Sequence, residues 1–567
     1  MTATGALDAV RSVLRAKRIG TPVSVRIVDH TISDSDRLGP TLGRSLEAAC
    51  RWLDADVCRL VALGDLHSGP VSVLMEFGEG QTALVSVGTR ARRAPLLEVV
   101  VVGNRGVLSW EPGPGPAGES EPAGPTDSPT ARRLLDAVGR SLASAGPVTF
   151  DGEARPGDAS TAEGPSRPVS QLPDERAVSK AGGQAPSAAK PPYGVLLVAG
   201  GHTHQENYAE DFAADSRCRL VGVADEPDVP PRRRALNEKL ARKLGIPVLP
   251  DLDRALARDD VHLVSVCAEP ERRARVMVRC AEAGKHLYLD KPMTASVDQA
   301  DAVAAAIRRA GVASQMFSMV HWPISGRVRR AVESGSLGDL RAIHFDLTFA
   351  KGQAGTVPID KPRIEHERPR QFERVDSKRE MYNVGVYSLV QLHWLLARRV
   401  RRVFAATGNY FFAEHRRNDM EDYGVALMEL DGGLVATMAC GRCGWRSHPM
   451  GGMNRVCLVG TEAVASIDSY RPRLEVWADE NPWLPPKIHP DDPMGFWKST
   501  FDDVEGAPKQ GWVAPSGLGR SDASHFVDCI EQGRPSEVPA ELAATVVKVL
   551  MAAYESAATH SFVVPAL

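Results

Sequence analysis

The sequence predicts an α/β chain: a doubly wound parallel sheet joined to an α+β domain with an open antiparallel sheet, preceded by a second α+β sheet domain. Three observations carry this. Short apolar runs alternate with helical patterns from Val195 to Arg309. Longer alternating strands take over from about Met319. Residues 1–151 echo residues 319–567.

The chain has 567 residues, with 68 Lys or Arg against 71 Asp or Glu, a formal net charge of −3; 43% are hydrophobic and 25% charged. These are the proportions of a globular protein. Near-neutrality argues against a nucleic-acid partner, which favours a basic surface. No apolar run approaches the ~20 residues that span a bilayer, so no membrane association is expected. The stretch after Met1 has no basic segment followed by an apolar one. Nine scattered cysteines suit reduced thiols, and a cytoplasmic location is expected.

The elements follow in order. Residues 152–190 are rich in Gly, Ala, Pro and Ser and nearly lack large apolar side chains, which predicts a flexible linker between domain 1–151 and the rest. Pro112 to Ser128 reads as a loop of the same kind. In 191–318, Val195–Val198, Leu220–Val223, His262–Cys267 and His286–Leu289 are apolar runs of the kind buried parallel strands show. The helical stretches between them complete a doubly wound sheet, which binds ligands beyond the carboxyl ends of its strands. In 319–567, strands Leu340–Phe349, Tyr423–Leu430 and Leu434–Cys440 alternate, with Asp431-Gly-Gly433 as a hairpin signal.

The echo is ordered. Leu74-Met-Glu-Phe-Gly-Glu-Gly80 matches Leu427-Met-Glu-Leu-Asp-Gly-Gly433. Gly43 precedes Trp52 as Gly385 precedes Trp394, and Val61 and Val403 follow at equal distances. Ile19-Gly20 matches Leu337-Gly338, Val102-Gly103 with Ser109 matches Val459-Gly460 with Ser466, and Leu134–Leu142 resembles Phe526–Gln532. A duplicated sheet domain is expected. It lacks the long segment between Asp346 and Gly385, and it is expected to dock on the sheet of the last domain as an intramolecular pseudo-dimer. Further homo-oligomerisation stays open.

The turn after the first parallel strand reads Ala199-Gly200-Gly201-His202-Thr203-His204. Small residues let a backbone approach a pyrophosphate at a helix N-terminus, although only Gly201 keeps its place in the glycine fingerprint. Asp225 closes the second strand 24 residues after Gly201, where a carboxylate holds a ribose diol and repels a 2′-phosphate. Arg232, Arg233 and Arg234 follow and would instead accept that phosphate, so NAD is expected and NADP stays open. His202 and His204 lack the partners of a metal site, and none is expected. Cys440 and Cys443 form a lone pair that reads as structural.

Ala281-Glu-Ala-Gly-Lys-His-Leu-Tyr-Leu-Asp-Lys-Pro292 resembles the A-G-K-H-v-x-x-E-K-P signature of the Gfo/Idh/MocA (glucose-fructose oxidoreductase/inositol dehydrogenase) family. The resemblance runs from Pro192 to the C-terminus through Gly335-Ser-Leu-Gly338, Gly385, Gly460-Thr461 and the helix ending Tyr554-Glu-Ser556. It implies a Rossmann domain followed by a sheet domain. It also implies that Lys291 lies beside the nicotinamide and bonds the reacting oxygen, that Asp290 replaces the usual Glu, and that Ala268, Glu269 and Pro270 form the loop over the cofactor. The family's D-x-G-x-H-x-x-D pattern reads Asn383, Gly385, Tyr387 and Val390 here, so the Asp/His relay is missing. A Tyr is a poor base until a neighbouring ammonium lowers its pKa; Lys291 beside Tyr387 would do so, with Asn383 as the third catalytic residue. His393 reads as structural.

The expected activity is hydride transfer between NAD(P) and a secondary hydroxyl or ketone of a sugar, cyclitol or similar polyol. The charged segment Lys351–Glu380 would form part of the substrate wall. Redox-neutral NAD-dependent glycoside cleavage and a dinucleotide-binding pseudoenzyme are the alternatives.

Overall fold

The computed structural model describes residues 10–32, 36, 38–67, 69–89, 91, 96–111, 128–150, 192–198, 203–350, 379–417, 419–443, 453–468 and 521–567. The expected linker 152–190, the expected loop from residue 112 to 127, and most of the charged segment, 351–378, lie outside them.

The first domain runs β1 (Pro22–Ile32), α1 (Leu38–Leu53), β2 (Val57–Gly64), β3 (Val71–Phe77), β4 (Thr82–Thr89), β5 (Leu96–Gly103), β6 (Gly106–Trp110), α2 (Pro129–Ser144) and β7 (Val148–Thr149). Its strand order is β6-β5-β1-β4-β3-β2-β7. The alternating strands put Val25, Ile27, Val73, Met75, Val85 and Val99 into one core with Leu42, Leu46 and Leu134 of the two helices.

The second domain runs β8 (Tyr193–Val198), α3 (Thr203–Ala214), β9 (Cys218–Ala224), α4 (Pro231–Leu244), α5 (Leu252–Leu256), β10 (Leu263–Val266), α6 (Pro270–Glu282), β11 (His286–Leu289), α7 (Val297–Ala310) and β12 (Ser314–Met316). All pairs are parallel, in the order β12-β11-β10-β8-β9. A parallel bridge from Val223 to Val248 adds a vestigial strand beyond β9. With it the order becomes the doubly wound 3-2-1-4-5-6, and the switch point falls between β8 and β10. Ser296 caps α7 through the Gln299 amide, and left-handed Gly311 ends it.

The third domain runs α8 (Pro323–Glu333), β13 (Leu340–Ala350), α9 (Glu380–Leu396), β14 (Val400–Gly408), α10 (Ala413–Arg417), β15 (Tyr423–Leu430), β16 (Val435–Cys443), β17 (Asn454–Gly460), β18 (Val464–Asp468), α11 (Asp522–Gln532) and α12 (Ala540–Thr559). The sheet order is β14-β15-β16-β13-β17-β18. By length and composition α12 passes as a membrane span, but two-thirds of its apolar window is buried in the core.

The expectation of an antiparallel sheet needs correcting. β13 pairs with β16 in parallel, as β1 does with β4; the remaining pairs of both sheets are antiparallel. The cause is the helical crossover through α9, or α1, which returns the chain in its original direction before two hairpins lead it back beside its starting strand.

The two sheets share more than strand order. Register shifts fall between Pro22 and Ser24 and between Leu340 and Ala342 on the central strands, and again between Val57 and Arg59 and between Val400 and Arg402. A Cβ on Gly103 would lie 2.1 Å from the Ile19 carbonyl oxygen, and one on Gly460 would lie 2.0 Å from that of Leu337. The same close approach therefore excludes a side chain at both places. Two matches differ from the sequence reading. Val61 pairs with Leu74 as Phe404 pairs with Leu427, so the counterpart of Val61 is Phe404 and not Val403. The counterpart of α2 is α12, since each packs on its crossover helix and on the strand after it; α11 lies against the second domain.

The open faces of the two sheets pack on each other. Val61, Leu63, Leu74, Leu84, Val100 and Val102 meet Phe404, Ala406, Tyr423, Val425, Leu427 and Ala439 in one apolar cluster. Beside it lies a buried ionic group. Arg26 pairs with Glu98 at 3.1 Å and with Asp346 of the third domain at 2.8 Å, and Arg455 reaches Glu98 at 3.2 Å. Tyr410 closes one margin by donating to the Gly80 carbonyl at 2.6 Å.

Candidate active site

The carboxyl ends of β8, β9, β10 and β11 open on one crevice, with α9 of the third domain facing it. Ala199, Gly200, Gly201 and His202 of the expected phosphate turn lie outside the described residues. Thr203 opens α3 behind that turn, with its side chain outside them as well.

Asp225 follows β9, as the sequence predicts, but its carboxylate is already engaged. Arg272 donates to both oxygens, at 2.6 and 3.2 Å, Asn237 donates at 2.8 Å, and the Glu226 amide donates at 2.9 Å. Arg272 also binds Glu269 and Glu226, and Arg233 binds Glu269. Of the three arginines expected near a 2′-phosphate, Arg233 thus joins this cluster. Across the switch point the loop after β10 places Ala268 and Glu269 at the crevice, both buried. Pro270 starts α6, where the missing amide hydrogen costs nothing.

Asp290 and Lys291 end β11 and point apart. Asp290 turns inward, taking bonds from Tyr208 at 2.8 Å and Arg273 at 2.9 Å, with His204 Nδ1 at 3.0 Å. Burial would raise its pKa. Arg273, the His204 bond and the adjacent Lys291 overcome this and hold the carboxyl well below its ordinary range. Asp290 is therefore an anionic anchor under the lysine.

Lys291 is buried and reaches across to α9. Its ammonium donates to the Asn383 backbone carbonyl at 3.0 Å and to Asn383 Oδ1 at 2.8 Å. The Asn383 amide nitrogen donates to Glu380 at 3.2 Å, and Glu380 takes a further bond from Arg442 at 2.8 Å, with His415 Nε2 at 3.2 Å. Tyr387, one turn beyond Asn383, puts its ring face 4.8 Å from the Lys291 ammonium. The contact is of the cation–π kind. Phe317 and Phe349 pack edgewise on the same ring. His393 is buried farther along α9, and burial pushes its pKa down to about 4, in keeping with a structural role. Cys440 is buried beneath α9 and its thiol is pushed up by burial.

The sequence reading missed Arg272, Arg273, Glu380, His415 and Arg442. The signal was strongest for the first two, which directly follow the loop Ala268–Pro270 at the start of α6.

The crevice fits a dinucleotide. A carboxylate closes the second strand, a helix opens after the first, and a buried ammonium sits at the opposite end. A ribose diol at Asp225 would share the carboxylate with Arg272 or displace it.

Residues 195–318 match the family model described as "Oxidoreductase family, NAD-binding Rossmann fold", and residues 326–466 match the GFO/IDH/MocA C-terminal domain. The chain is 30% identical over 147 residues to dTDP-3,4-didehydro-2,6-dideoxy-alpha-D-glucose 3-reductase of Streptomyces violaceoruber, covering 26% of this chain and 41% of that protein. It is 25% identical over 140 residues to scyllo-inositol 2-dehydrogenase (NAD(+)) of Bacillus subtilis (strain 168), covering 24% and 38%. Among solved structures, GenD2 from gentamicin A biosynthesis, in complex with NAD, superimposes with a TM-score of 0.49 at 23% identity, over 68% of this chain and 99% of that one. The chain spans 57%, 41% and 32% of the length of the first three curated relatives it matches. Residues 195–318 and 326–466, in the second and third domains, are thus the parts of the chain that match the GFO/IDH/MocA family of oxidoreductases.

Proposed function

We propose that the chain is an NAD(P)-dependent oxidoreductase acting on a secondary hydroxyl or ketone of a sugar, cyclitol or similar polyol. The observation that carries this is Lys291, a buried ammonium at the carboxyl edge of the parallel sheet, bonded across the crevice to Asn383. The sugar-nucleotide reductase and the inositol dehydrogenase among the relatives support the substrate class. The turn Ala199–Thr203, Asp225 and the loop Ala268–Pro270 would hold the dinucleotide, with Asp290 and Lys291 at its nicotinamide end. The bound dinucleotide supplies the hydride acceptor or donor.

The chain's own residues do the rest. Lys291 holds the substrate oxygen and stabilises charge developing there. Asn383 fixes the ammonium, and Glu380 with Arg442 fixes Asn383. Tyr387, stacked under the same cation, is the proton carrier we assign to the hydroxyl. The first domain, as a diverged duplicate of the third, caps the open sheet within one chain. A cytoplasmic location agrees with the free thiols of the described cysteines.

Lys291→Ala tests the reading. Turnover on a responsive polyol should fall about 100-fold, or ~3 kcal/mol, while NADH affinity changes little. Near-normal turnover removes Lys291 from the mechanism. A second reading, dinucleotide binding without turnover, draws on Asn383 in place of a carboxylate and on the engaged Asp225. It is favoured if NADH binds and no polyol changes the nicotinamide absorbance.

A further inference from the structure

We infer that the substrate carries an acid group, a carboxylate or a phosphate, and that Arg442 is the residue that selects it; the inference rests on the oxidoreductase reading above. Arg442 lies near the end of β16 and pairs across the parallel ladder with Phe349, near the end of β13. Side chains alternate along a strand. A Cβ on Gly385 of α9 would lie 3.1 Å from both Met438 and Cys440, so those two residues of β16 face the helix. Arg442 is the next in their row and lies on the same face. It bonds Glu380, the residue at which α9 begins, so it sits at the mouth of the helix rather than beneath its body.

Two lines of contact tie Arg442 to Lys291. One is polar. Glu380 Oε2 accepts from Arg442 Nε at 2.8 Å and from the Asn383 amide nitrogen at 3.2 Å, and Asn383 Oδ1 accepts from Lys291 at 2.8 Å. The other is a run of rings. The Arg442 guanidinium is 5.9 Å from the centre of Phe349, Phe349 is 6.0 Å from Tyr387, and Tyr387 is 4.8 Å from the Lys291 ammonium. Two cations thus flank a pair of aromatic rings, at a separation that one sugar ring with one substituent can bridge. An apolar floor with a few fixed polar groups is how small-molecule sites hold and orient a ligand. With the reacting oxygen on Lys291, Arg442 meets what the far side of the ring carries.

The way Arg442 is held leaves it a fork to offer. Glu380 takes it through Nε, on one edge of the guanidinium, and among the described residues no other carboxylate meets it. The two terminal nitrogens form the opposite fork, the one that pairs two carboxylate or phosphate oxygens at once. Its side chain is 21% exposed whereas that of Glu380 is fully buried, so the arginine is pinned on its inner edge and open on its outer one.

The first domain shows that the sheet itself does not call for this cation. Val435 and Thr82 stand at the same step of the two sheets, since they pair with Ala342 and Ser24, the residues that follow the matching register shifts. Six residues on, Gly441 matches Gly88, and the next step has Arg442 in the third domain and Thr89 in the first. A threonine suffices in the first domain; the third, whose sheet edge faces the crevice, has the arginine.

The test is calorimetric titration of the full chain, saturated with NADH, at low ionic strength. The probes are methyl glucoside and methyl galactoside, and the same sugars with a carboxylate or a phosphate at the sixth carbon. The two charged series separate carboxylate from phosphate chemistry, and the reduced cofactor keeps the hydroxyl compounds from turning over, so affinity alone is read. At least one charged sugar should bind about tenfold or more tightly than its uncharged parent, the worth of one charge-assisted pair. Arg442→Gln should remove that preference. Arg442→Lys, which keeps a charge toward Glu380 and loses the fork, should remove most of it. The ratio is decisive, because loosening Glu380 and Asn383 weakens charged and uncharged sugars alike; an unchanged NADH affinity shows that each variant is folded. No preference for any charged sugar, or a preference that survives Arg442→Gln, overturns the inference. If the preference and its loss are both seen but the preferred sugar leaves the absorbance of added NAD unchanged, the oxidoreductase reading fails while Arg442 keeps its role as the anion-selecting residue.

Discussion

Replacing Glu98 with Gln keeps the shape of a β5 side chain and removes its charge. Glu98 is 1% exposed and sits between Arg26 and Arg455 where the two sheets meet. Burial alone would raise its pKa; the two guanidinium groups, with help from Ser466, instead bring it from 4.5 down to about 2. A shift of that size corresponds to about 3 kcal/mol of folded-state stabilisation. Because the folded pKa lies below the unfolded one, this contribution is complete above pH ~4.5 and is lost as pH falls toward 2. Glu98→Gln should therefore cost about 3 kcal/mol at pH 7, close to the ~3–5 kcal/mol typical of breaking a buried charge pair from one side. For a domain of this size that is roughly 6–12 °C in the melting transition of the first domain. The variant should also lose the wild type's extra destabilisation between pH 4.5 and 2. Arg26→Met combined with Glu98→Gln removes one charge of each sign and should recover more than half of the loss. Calorimetric melts of the three proteins from pH 2 to pH 7 measure this. A single-variant cost below 1 kcal/mol would refute the account of the interface.

Two other expectations are simpler to state. If Asp225 receives a ribose diol, NADH should bind more tightly than NADPH, and Asp225→Ala, which frees Arg272 to meet a 2′-phosphate, should narrow or reverse the gap; fluorescence titration decides, and tighter NADPH binding by the unaltered chain refutes the assignment. Deleting residues 1–151 should expose the apolar face around Phe404, Val425 and Leu427, giving dimers or aggregates by light scattering; a stable, soluble monomer would sink the docking role of the first domain.

The parallel-sheet half was legible because strands buried on both faces appear as unbroken apolar runs, and Asp225, Asp290 and Lys291 each follow one. The shared layout of the two sheets showed through their glycines, since a side chain cannot replace Gly103 or Gly460 without striking a carbonyl. Strand direction was not legible. Alternation reports which face is buried, and it is the same for parallel and antiparallel neighbours. The ionic group was missed for a related reason. Arg26, Glu98, Asp346 and Arg455 occupy alternate positions on strands, the pattern of a solvated face, and only the second sheet turns that face into an interior. The Arg272 cluster was missed because its members lie on α4, α6 and two strand ends that come together only when the sheet winds.

The packing of one open sheet on another has a consequence for behaviour on dilution. Two separate subunits joined through such faces obey mass action, so their cover weakens as protein becomes scarce. Here both faces lie in one polypeptide, and the effective concentration of one for the other is a constant of the chain. The apolar face of the third domain should stay covered at nanomolar protein as completely as at micromolar. The two faces are also free to mutate independently: Arg26 lies at the strand position that His344 fills in the third domain, a pairing that a symmetric dimer of identical sheets has no means to encode.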